Sequence, residues 1–227
     1  MFNIKLAGEN AIIIYFGNEA SPELAEQIAF YTEFLHDSLA PLIIDIVPSY
    51  TSALITYDLN VVSHHDFCNQ VSEALTKAIF VKQKHQSDII EIPVFYDHEV
   101  GLDLKRILVE KDLSLSEFIE LHSQQTYLVY AIGFSPAFAF LAEVDQRIQM
   151  PRLSTPRIQI PAGSVGIADK QTAVYPIDSS GGWNIVGRTP VDLSLNNYEN
   201  LKRFMVGNQV QFKPIDRQEY LYLGGKL

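Results

Sequence analysis

The chain has little cysteine and little positive charge. Its single cysteine, Cys68, excludes an internal disulfide bond, and because no motif surrounds it we expect a small core or boundary residue rather than a reactive thiol. The 17 Lys and Arg residues are outnumbered by 27 Asp and Glu residues, which gives a formal net charge of −10. Since binding to a phosphate backbone needs a concentrated basic surface and no basic run occurs, nucleic acid is not an expected partner.

Long apolar runs and the common cofactor motifs are also missing. No run approaches the roughly 20 apolar residues that cross a bilayer, and the N-terminus lacks the basic and apolar regions of a signal peptide. We therefore expect a cytoplasmic protein that does not enter a membrane. The sequence contains no G-x-x-x-x-G-K-[ST] phosphate loop and no C-x-x-C or H-x-x-x-H pair, so its motifs predict neither a nucleotide-binding loop nor a metal site.

Residues 1–86 predict a small α+β domain. Two pairs of β-prone runs each precede a helix, and Ser21 and Ser63 are placed to cap those helices. The second helix is predicted to extend from Ser63 to Lys84, with Ile79 on its apolar face. The element order is therefore ββαββα, and two helices over one face of a small antiparallel sheet bury both sets of apolar side chains.

Residues 87–227 predict a mainly-β domain. A strand at Ile89–Tyr96 comes first, followed by two short helices, the second of which begins with a capping pair at Ser114 and Glu117. Short β-rich segments separated by Pro, Gly, Asp or Ser follow, which favours a closed or nearly closed barrel over a helical layer. These segments are residues 127–132, 157–160, 164–168, 172–176, 183–188 and 209–214.

Six short blocks between Gly133 and Pro190 occur in an order that identifies a family. The blocks are Gly133-Phe134-Ser135-Pro136 followed by Phe138, Phe140 and Leu141; Pro151-Arg152; Thr155-Pro156-Arg157; Pro161-Ala162-Gly163-Ser164-Val165; Gln171-Thr172 with Tyr175-Pro176; and Gly181-Gly182-Trp183 with Gly187-Arg188-Thr189-Pro190. With this order the chain resembles the B subunit of the bacterial 5-oxoprolinase, whose family also includes the kinase inhibitor KipI and the subunit 1 module of allophanate hydrolase. Looser similarity covers nearly the whole chain and includes Gly101-Leu102-Asp103-Leu104 and His122.

The resemblance implies a fold, an activity and partners. The fold would be a cyclophilin-like barrel after the N-terminal α+β domain. The activity would be that of one subunit of an ATP-dependent 5-oxoprolinase, which opens 5-oxo-L-proline to L-glutamate with ATP as co-substrate. The partners would be the C subunit of 5-oxoprolinase, whose barrel is related, and its A subunit. Two alternatives remain: a KipI-like inhibitor that binds a sensor histidine kinase and blocks its autophosphorylation, and an allophanate hydrolase subunit 1-type module.

Four positions depart from the family pattern, and one of them is Gln211, which stands where an arginine is expected. Ala137 stands where the family usually has glycine, Ser180 where it has proline, and Asn208 where it has aspartate. Because alanine takes a positive φ only at a cost that glycine does not incur, Ala137 is the departure that bears most on local geometry. It also breaks the G-x-S-x-G pattern of a nucleophile elbow, so Ser135 is not expected to be a nucleophile. The departures favour the kinase-binding alternative or a degenerate subunit.

Arg152, Arg157 and Arg188 each lie next to a proline, or one residue from it, in turn-rich sequence. Rigidly held guanidinium groups bind carboxylate or phosphate bidentately, as 5-oxoproline or a phosphorylated intermediate would require. The structural alternative is that they pair with acidic side chains or with carbonyl groups at barrel corners. The acidic candidates are Glu143, Asp145 and Asp178.

His122, Phe134, Gln171 and Trp183 complete the set of candidate site residues. His122 matches a family position and titrates near neutrality, so it is the candidate general acid or base, although a histidine at a helix C-terminus also suits a structural role. Phe134 and Trp183 suit stacking on a flat ligand, and they equally suit a barrel core. Gln171 is included because of its place in the family pattern.

Overall fold

The computed structural model describes residues 2–81, 89–194, 196 and 203–227. The chain forms two compact units, residues 1–86 and 87–227, and each is described by itself. Across the described ranges, no helix combines the length and the apolar character needed to cross a bilayer.

The first unit contains one four-stranded antiparallel sheet and two helices. Its elements are β1 (Asn3–Gly8), β2 (Ala11–Tyr15), α1 (Pro22–Leu39), β3 (Ile43–Pro48), β4 (Ser52–Tyr57) and α2 (His64–Lys77). The strands lie in the order β1-β2-β4-β3. Both helices pack on one face of this sheet, because Ile14 and Ile55 from the strands share a core with Leu35 of α1 and Phe67 of α2.

The predicted caps of the first unit are confirmed, whereas the predicted length of its second helix is wrong. The Ser21 hydroxyl accepts from the Leu24 N–H at 3.1 Å, and the Ser63 hydroxyl accepts from the Asp66 N–H at 3.2 Å. Helix α2 ends at Lys77, and Ile79, predicted to lie on its apolar face, is 77% exposed. The remainder of the predicted helix, residues 82–84, lies outside the described residues.

The second unit is built on a closed barrel of seven strands. Its elements are β5 (Ile90–Phe95), α3 (Leu104–Lys111), α4 (Leu115–Ser123), β6 (Thr126–Ile132), β7 (Ala139–Ala142), a 3₁₀ turn (Gln146–Ile148), β8 (Arg157–Ile160), β9 (Ser164–Ala168), β10 (Gln171–Val174), β11 (Ser179–Gly181), β12 (Asn184–Arg188), β13 (Gln209–Ile215) and α5 (Arg217–Tyr222). The barrel order is β10-β7-β6-β13-β5-β12-β9, and β13 pairs with β5 in parallel. The predicted barrel is therefore confirmed, and so is the capping box of Ser114 and Glu117 at the start of α4.

One predicted barrel strand lies elsewhere. Among the strands that the structure describes, β8 pairs only with β11, in a separate two-stranded sheet that the sequence did not predict. Of its apolar side chains, Ile160 is buried whereas Ile158 is 95% exposed. The strand is therefore buried at one position only, and a short β-rich segment between turn residues does not by itself show which sheet it joins.

The turn that carries Ala137 has the backbone conformation that the glycine of the family pattern would favour. Ala137 has φ of 64° and Phe134 has φ of 68°, and both lie in the left-handed region. A non-glycine residue in that region costs roughly 1–2 kcal/mol. The departure at Ala137 is therefore accommodated by a strained backbone and not by a changed turn.

Gly163 should tolerate substitution poorly, because a positive φ and a close backbone contact coincide there. Its φ is 78°, and an added Cβ would lie 2.6 Å from the carbonyl oxygen of Thr189. We expect Gly163→Ala to lower the free energy of unfolding by more than about 2 kcal/mol, because strain and collision add. Gly133→Ala is the matched control, since its Cβ would meet no atom within 4 Å. Urea unfolding of both variants tests this, and equal losses would contradict it.

Candidate functional site

An aromatic cluster in the second unit is formed by residues that flank strands β7, β10 and β12. The ring of Phe138 packs edge-on against Trp183 at 5.7 Å and against Tyr175 at 5.3 Å between centroids. Phe134 packs edge-on against Phe138 at 5.2 Å. Trp183 is only 5% exposed, whereas Phe134 is 64% exposed. The cluster is therefore a core group with one aromatic ring that reaches solvent.

Two glycines make room for these rings. A Cβ on Gly181 would lie 2.4 Å from the Tyr175 hydroxyl, and a Cβ on Gly166 in β9 would lie 3.2 Å from the Cβ of Trp183. At Gly182 the added atom would make only ordinary contacts, the nearest at 3.5 Å. Close approach thus explains the first glycine of Gly181-Gly182-Trp183 and not the second.

Arg152 lies over the face of Trp183. Its guanidinium carbon is 5.9 Å from the ring centroid, within the range of a cation–π contact. The segment that carries it is held by two hydrogen bonds, one from the Leu153 N–H to the Gly182 carbonyl at 2.7 Å and one from Asn184 Nδ2 to the Pro151 carbonyl at 2.9 Å. The side chain itself is exposed.

Arg157 is held by a buried carboxylate. Its Nη2 donates to Oδ1 of Asp103 at 2.8 Å, and Asp103 is 5% exposed. Among the described residues, the Nη1 atom of Arg157 is buried with no hydrogen-bond partner. A guanidinium group offers five donors in a rigid fork, so Arg157 has donors to spare after binding Asp103.

None of the acidic partners considered from the sequence takes this role: Glu143 lies near Lys170, Asp145 pairs with Arg147, and Asp178 accepts from a backbone N–H.

Tyr175 connects the two arginines. Burial raises the pKa of its phenol to about 12, and the opposing influences are a hydrogen bond with the Trp183 backbone and the positive charges of Arg152 and Arg157. The geometry places Arg157 on the same side, because it is the register partner of Gly181, whose added Cβ would collide with the Tyr175 hydroxyl. We call Phe134, Arg152, Arg157, Tyr175 and Trp183 the arginine–aromatic patch.

Arg188 and Gln171 lie outside this patch. Arg188 ends β12, four residues beyond Asn184, which is about 13 Å at roughly 3.3 Å per strand residue. Its Nη1 donates to the Lys226 carbonyl at 3.0 Å. Gln171 begins β10 and pairs in register with Ala142 and Ala168. The structure thus brings together Phe134, Arg152, Arg157 and Trp183 from the predicted set.

His122 is fully buried in the barrel core. Its Nδ1 lies 2.7 Å from the Tyr96 hydroxyl and its Nε2 lies 2.9 Å from Oγ1 of Thr172, so both ring nitrogens are engaged. The imidazole stacks against Phe212 at 4.7 Å between centroids. Burial lowers the pKa of His122 to about 3, which keeps the ring neutral at physiological pH. A neutral ring with one donor and one acceptor suits these two hydroxyl partners.

The low pKa of His122 should make stability depend on pH. Between about pH 3 and pH 6.5 the unfolded chain binds a proton at this ring and the folded chain does not, so the free energy of unfolding falls as pH falls through that window. From pH 7 to pH 5 this contribution is about 2 kcal/mol. Urea unfolding at pH 7 and pH 5 measures this contribution. In His122→Gln the free energy of unfolding should fall by about 2 kcal/mol less between these pH values than in the wild type. At pH 7 the variant should itself be less stable by about 1–3 kcal/mol, because Tyr96 and Thr172 lose a hydrogen-bond partner. An equal pH dependence in both proteins would contradict the assignment.

Sequence reasoning missed Asp103, Tyr175 and Asn184 as site residues. Asp103 and Tyr175 lie in blocks that carry the family resemblance, and that signal pointed to them without indicating a role. Asn184 follows Trp183 directly and carries no signal of its own. Over the ranges that the structure covers, no three His, Cys, Asp or Glu side chains form a group that could hold a metal ion.

Comparison with known proteins gives a consistent set of relatives. The family model named carboxyltransferase domain, subdomain C and D, matches residues 2–201. The 5-oxoprolinase B subunit of Bacillus subtilis (strain 168) is 34% identical over 229 residues, which cover 96% of this chain and 95% of that protein. The 5-oxoprolinase B subunit of Escherichia coli O157:H7 is 38% identical over 129 residues, which cover 57% of this chain and 59% of that protein.

A solved structure shares the fold. The crystal structure of TTHA0988 in space group P212121 superposes with a TM-score of 0.77 and 30% sequence identity. The match covers 90% of this chain and 40% of that chain. This chain therefore spans less than half the length of TTHA0988.

Proposed function

The chain belongs to the carboxyltransferase subdomain C and D family together with the B subunit of 5-oxoprolinase, and from that premise we propose that it acts as the B subunit of an ATP-dependent 5-oxoprolinase. The observation that carries this proposal is the 34% identity to the Bacillus subtilis protein over nearly the full length of both chains. The family predicted from the six sequence blocks is thereby confirmed. The names of both curated relatives favour this function over the kinase-inhibitor alternative.

The proposed reaction adds water across the lactam C–N bond of 5-oxo-L-proline and gives the carboxylate and amine of L-glutamate. An unstrained lactam resists hydrolysis, and consumption of ATP by the complex makes the opening favourable. The A and C subunits would supply the remaining parts of the machinery. This chain matches only 40% of TTHA0988, which supports the proposal that it works beside further domains or subunits. We also infer that the barrel is of the cyclophilin-like type.

We assign the arginine–aromatic patch to binding of the substrate's carboxylate. Arg157 has its orientation fixed by Asp103 and keeps part of its side chain exposed, and Arg152 is stacked on Trp183. Planar guanidinium groups held in this way match a carboxylate geometrically as well as by charge. Phe134, the exposed ring of the patch, provides an apolar surface for the lactam ring. His122 takes a structural role in this proposal, because its ring is buried and both nitrogens are engaged.

Arg157→Lys should reduce activity without breaking the fold. Lysine keeps a positive charge beside Asp103 and loses the planar fork, so we expect kcat/KM for 5-oxoproline to fall roughly 10- to 100-fold in the complex with the organism's own A and C subunits. ATP-dependent glutamate formation is the assay. Arg217→Gln is the control, because it removes an exposed arginine paired with Glu99.

Three outcomes separate the alternatives. Unchanged kcat/KM in Arg157→Lys would contradict the role of the patch and leave the proposed enzyme complex intact. No glutamate from a verified wild-type complex would reject the 5-oxoprolinase assignment. Turnover of allophanate by such a complex would support the alternative of an allophanate hydrolase subunit 1-type module.

Trp183 offers a direct probe of binding. It is the only tryptophan of the chain, so labelling this chain alone with 5-fluorotryptophan gives one ¹⁹F resonance in a complex with unlabelled partners. We expect 5-oxo-L-proline to shift that resonance in a saturable way, because the carboxylate binds beside the ring. The lactam 2-pyrrolidinone, which has no carboxylate, is the matched ligand and should cause a much smaller shift at equal concentration. Equal shifts would show that the carboxylate is not recognised here.

A further inference from the structure

We infer that a polar network, formed by the buried side chains of Asp103 and Asn184 and by Arg106, which is partly exposed, positions both arginines of the patch. The inference rests on the proposed function for its activity test and on the geometry alone for its structural test. None of these three residues belongs to the patch itself. Each makes hydrogen bonds or ion pairs that lead to Arg152 or Arg157.

Asp103 fixes Arg157 to the barrel. One carboxylate oxygen accepts from Arg157 Nη2 at 2.8 Å, and the other accepts from the Ile185 N–H of β12 at 2.7 Å. The Asp103 N–H in turn donates to the Ile185 carbonyl at 2.9 Å. Asp103 thus joins strand β8, which is not a barrel strand, to a strand that is.

Gly101 allows this close approach. A Cβ at that position would lie 2.8 Å from the Val186 carbonyl oxygen of β12. Such a distance is shorter than any ordinary contact, so a side chain would push the start of α3 away from the strand. The glycine therefore permits the paired hydrogen bonds between Asp103 and Ile185.

Asn184 fixes the segment that carries Arg152. It is fully buried, and its Nδ2 donates to the Pro151 carbonyl at 2.9 Å and to the Ile167 carbonyl at 3.0 Å. Residues 151–156 belong to no helix or strand, so no sheet ladder sets their position. A directional side-chain hydrogen bond supplies that constraint on the residue immediately before Arg152.

Arg106 of α3 contacts both Asp103 and Asn184. Its Nη2 donates to Oδ1 of Asn184 and lies 3.7 Å from Oδ1 of Asp103. Its Nη1 reaches the exposed carboxylate of Glu110 at 3.2 Å. One guanidinium group therefore contacts the residue that holds Arg157 and the residue that holds the Arg152 segment.

The value of this network lies in geometry more than in stability. A buried ion pair is weak evidence for net stabilisation, because desolvation offsets much of the attraction. Its hydrogen bonds are directional, however, and a partly satisfied buried network is costly, so the members keep one arrangement. Arg152 lies on an irregular segment and Arg157 on a strand outside the barrel, and the network holds both to barrel strand β12.

Asp103→Asn tests the inference, because it keeps the shape and removes the charge. In the complex we expect kcat/KM for 5-oxoproline to fall at least tenfold. In the double variant with Arg157→Lys we expect little further loss, since both changes disturb one contact. Asp112→Asn is the matched control: it is the same substitution at the exposed C-terminal end of α3, in a left-handed conformation that asparagine tolerates.

The ¹⁹F resonance of Trp183 gives a readout that does not depend on turnover. Asp103→Asn should shift it in the free chain, because Trp183 adjoins Asn184 and lies under Arg152, whereas Asp112→Asn should leave it in place. If Asp103→Asn melts at a lower temperature but keeps its kcat/KM for 5-oxoproline, Asp103 has a purely structural role and the inference is overturned. If the wild-type complex makes no glutamate, the proposed function fails, and an unshifted resonance in Asp103→Asn would then overturn the inference independently.

Discussion

The hydrogen-bonded ion pair between Asp103 and Arg157 is the interaction on which the arrangement of the candidate site depends. A carboxylate that is 5% exposed loses most of its hydration, and this cost is repaid only when both oxygens are matched by donors at close range. Arg157 and the Ile185 N–H are those donors. The need to satisfy one buried charge therefore determines where the start of α3, strand β8 and strand β12 meet in the second unit.

Close backbone approach is the second constraint, and glycine makes it possible at particular points. Gly101 lets α3 begin against β12, and Gly181 lets the backbone pass beside the Tyr175 hydroxyl. At both positions the requirement is space and not a positive φ, since neither residue lies in the left-handed region. Ala137 shows the converse: it adopts a positive φ, so the chain keeps the turn and carries the strain. Its departure from the family pattern therefore leaves a left-handed conformation in place at this turn.

The second unit separates residues that hold the fold from residues that can meet a ligand. His122 is matched to two hydroxyl groups inside the barrel, and its lowered pKa follows from that burial. Arg152 and Phe134, by contrast, are exposed beside a buried tryptophan. The proposed carboxylate site depends on this contrast, because exposed guanidinium and aromatic groups bind selectively only when rigid neighbours fix their positions.

The sequence by itself determined the family, the antiparallel sheet, the barrel and the helix caps, because these follow from local patterns: β-prone runs between turn residues, Ser and Glu at cap positions, and the order of six blocks. It also placed Arg152, Arg157, Phe134 and Trp183 among the candidates. Only the tertiary structure decided that these four come together, that His122 is enclosed, and that β8 leaves the barrel. The partner of Arg157 lies 54 positions away in sequence, and no local pattern encodes a contact at that separation. Strand pairing and the satisfaction of buried charge set such contacts, and both are properties of the whole folded unit.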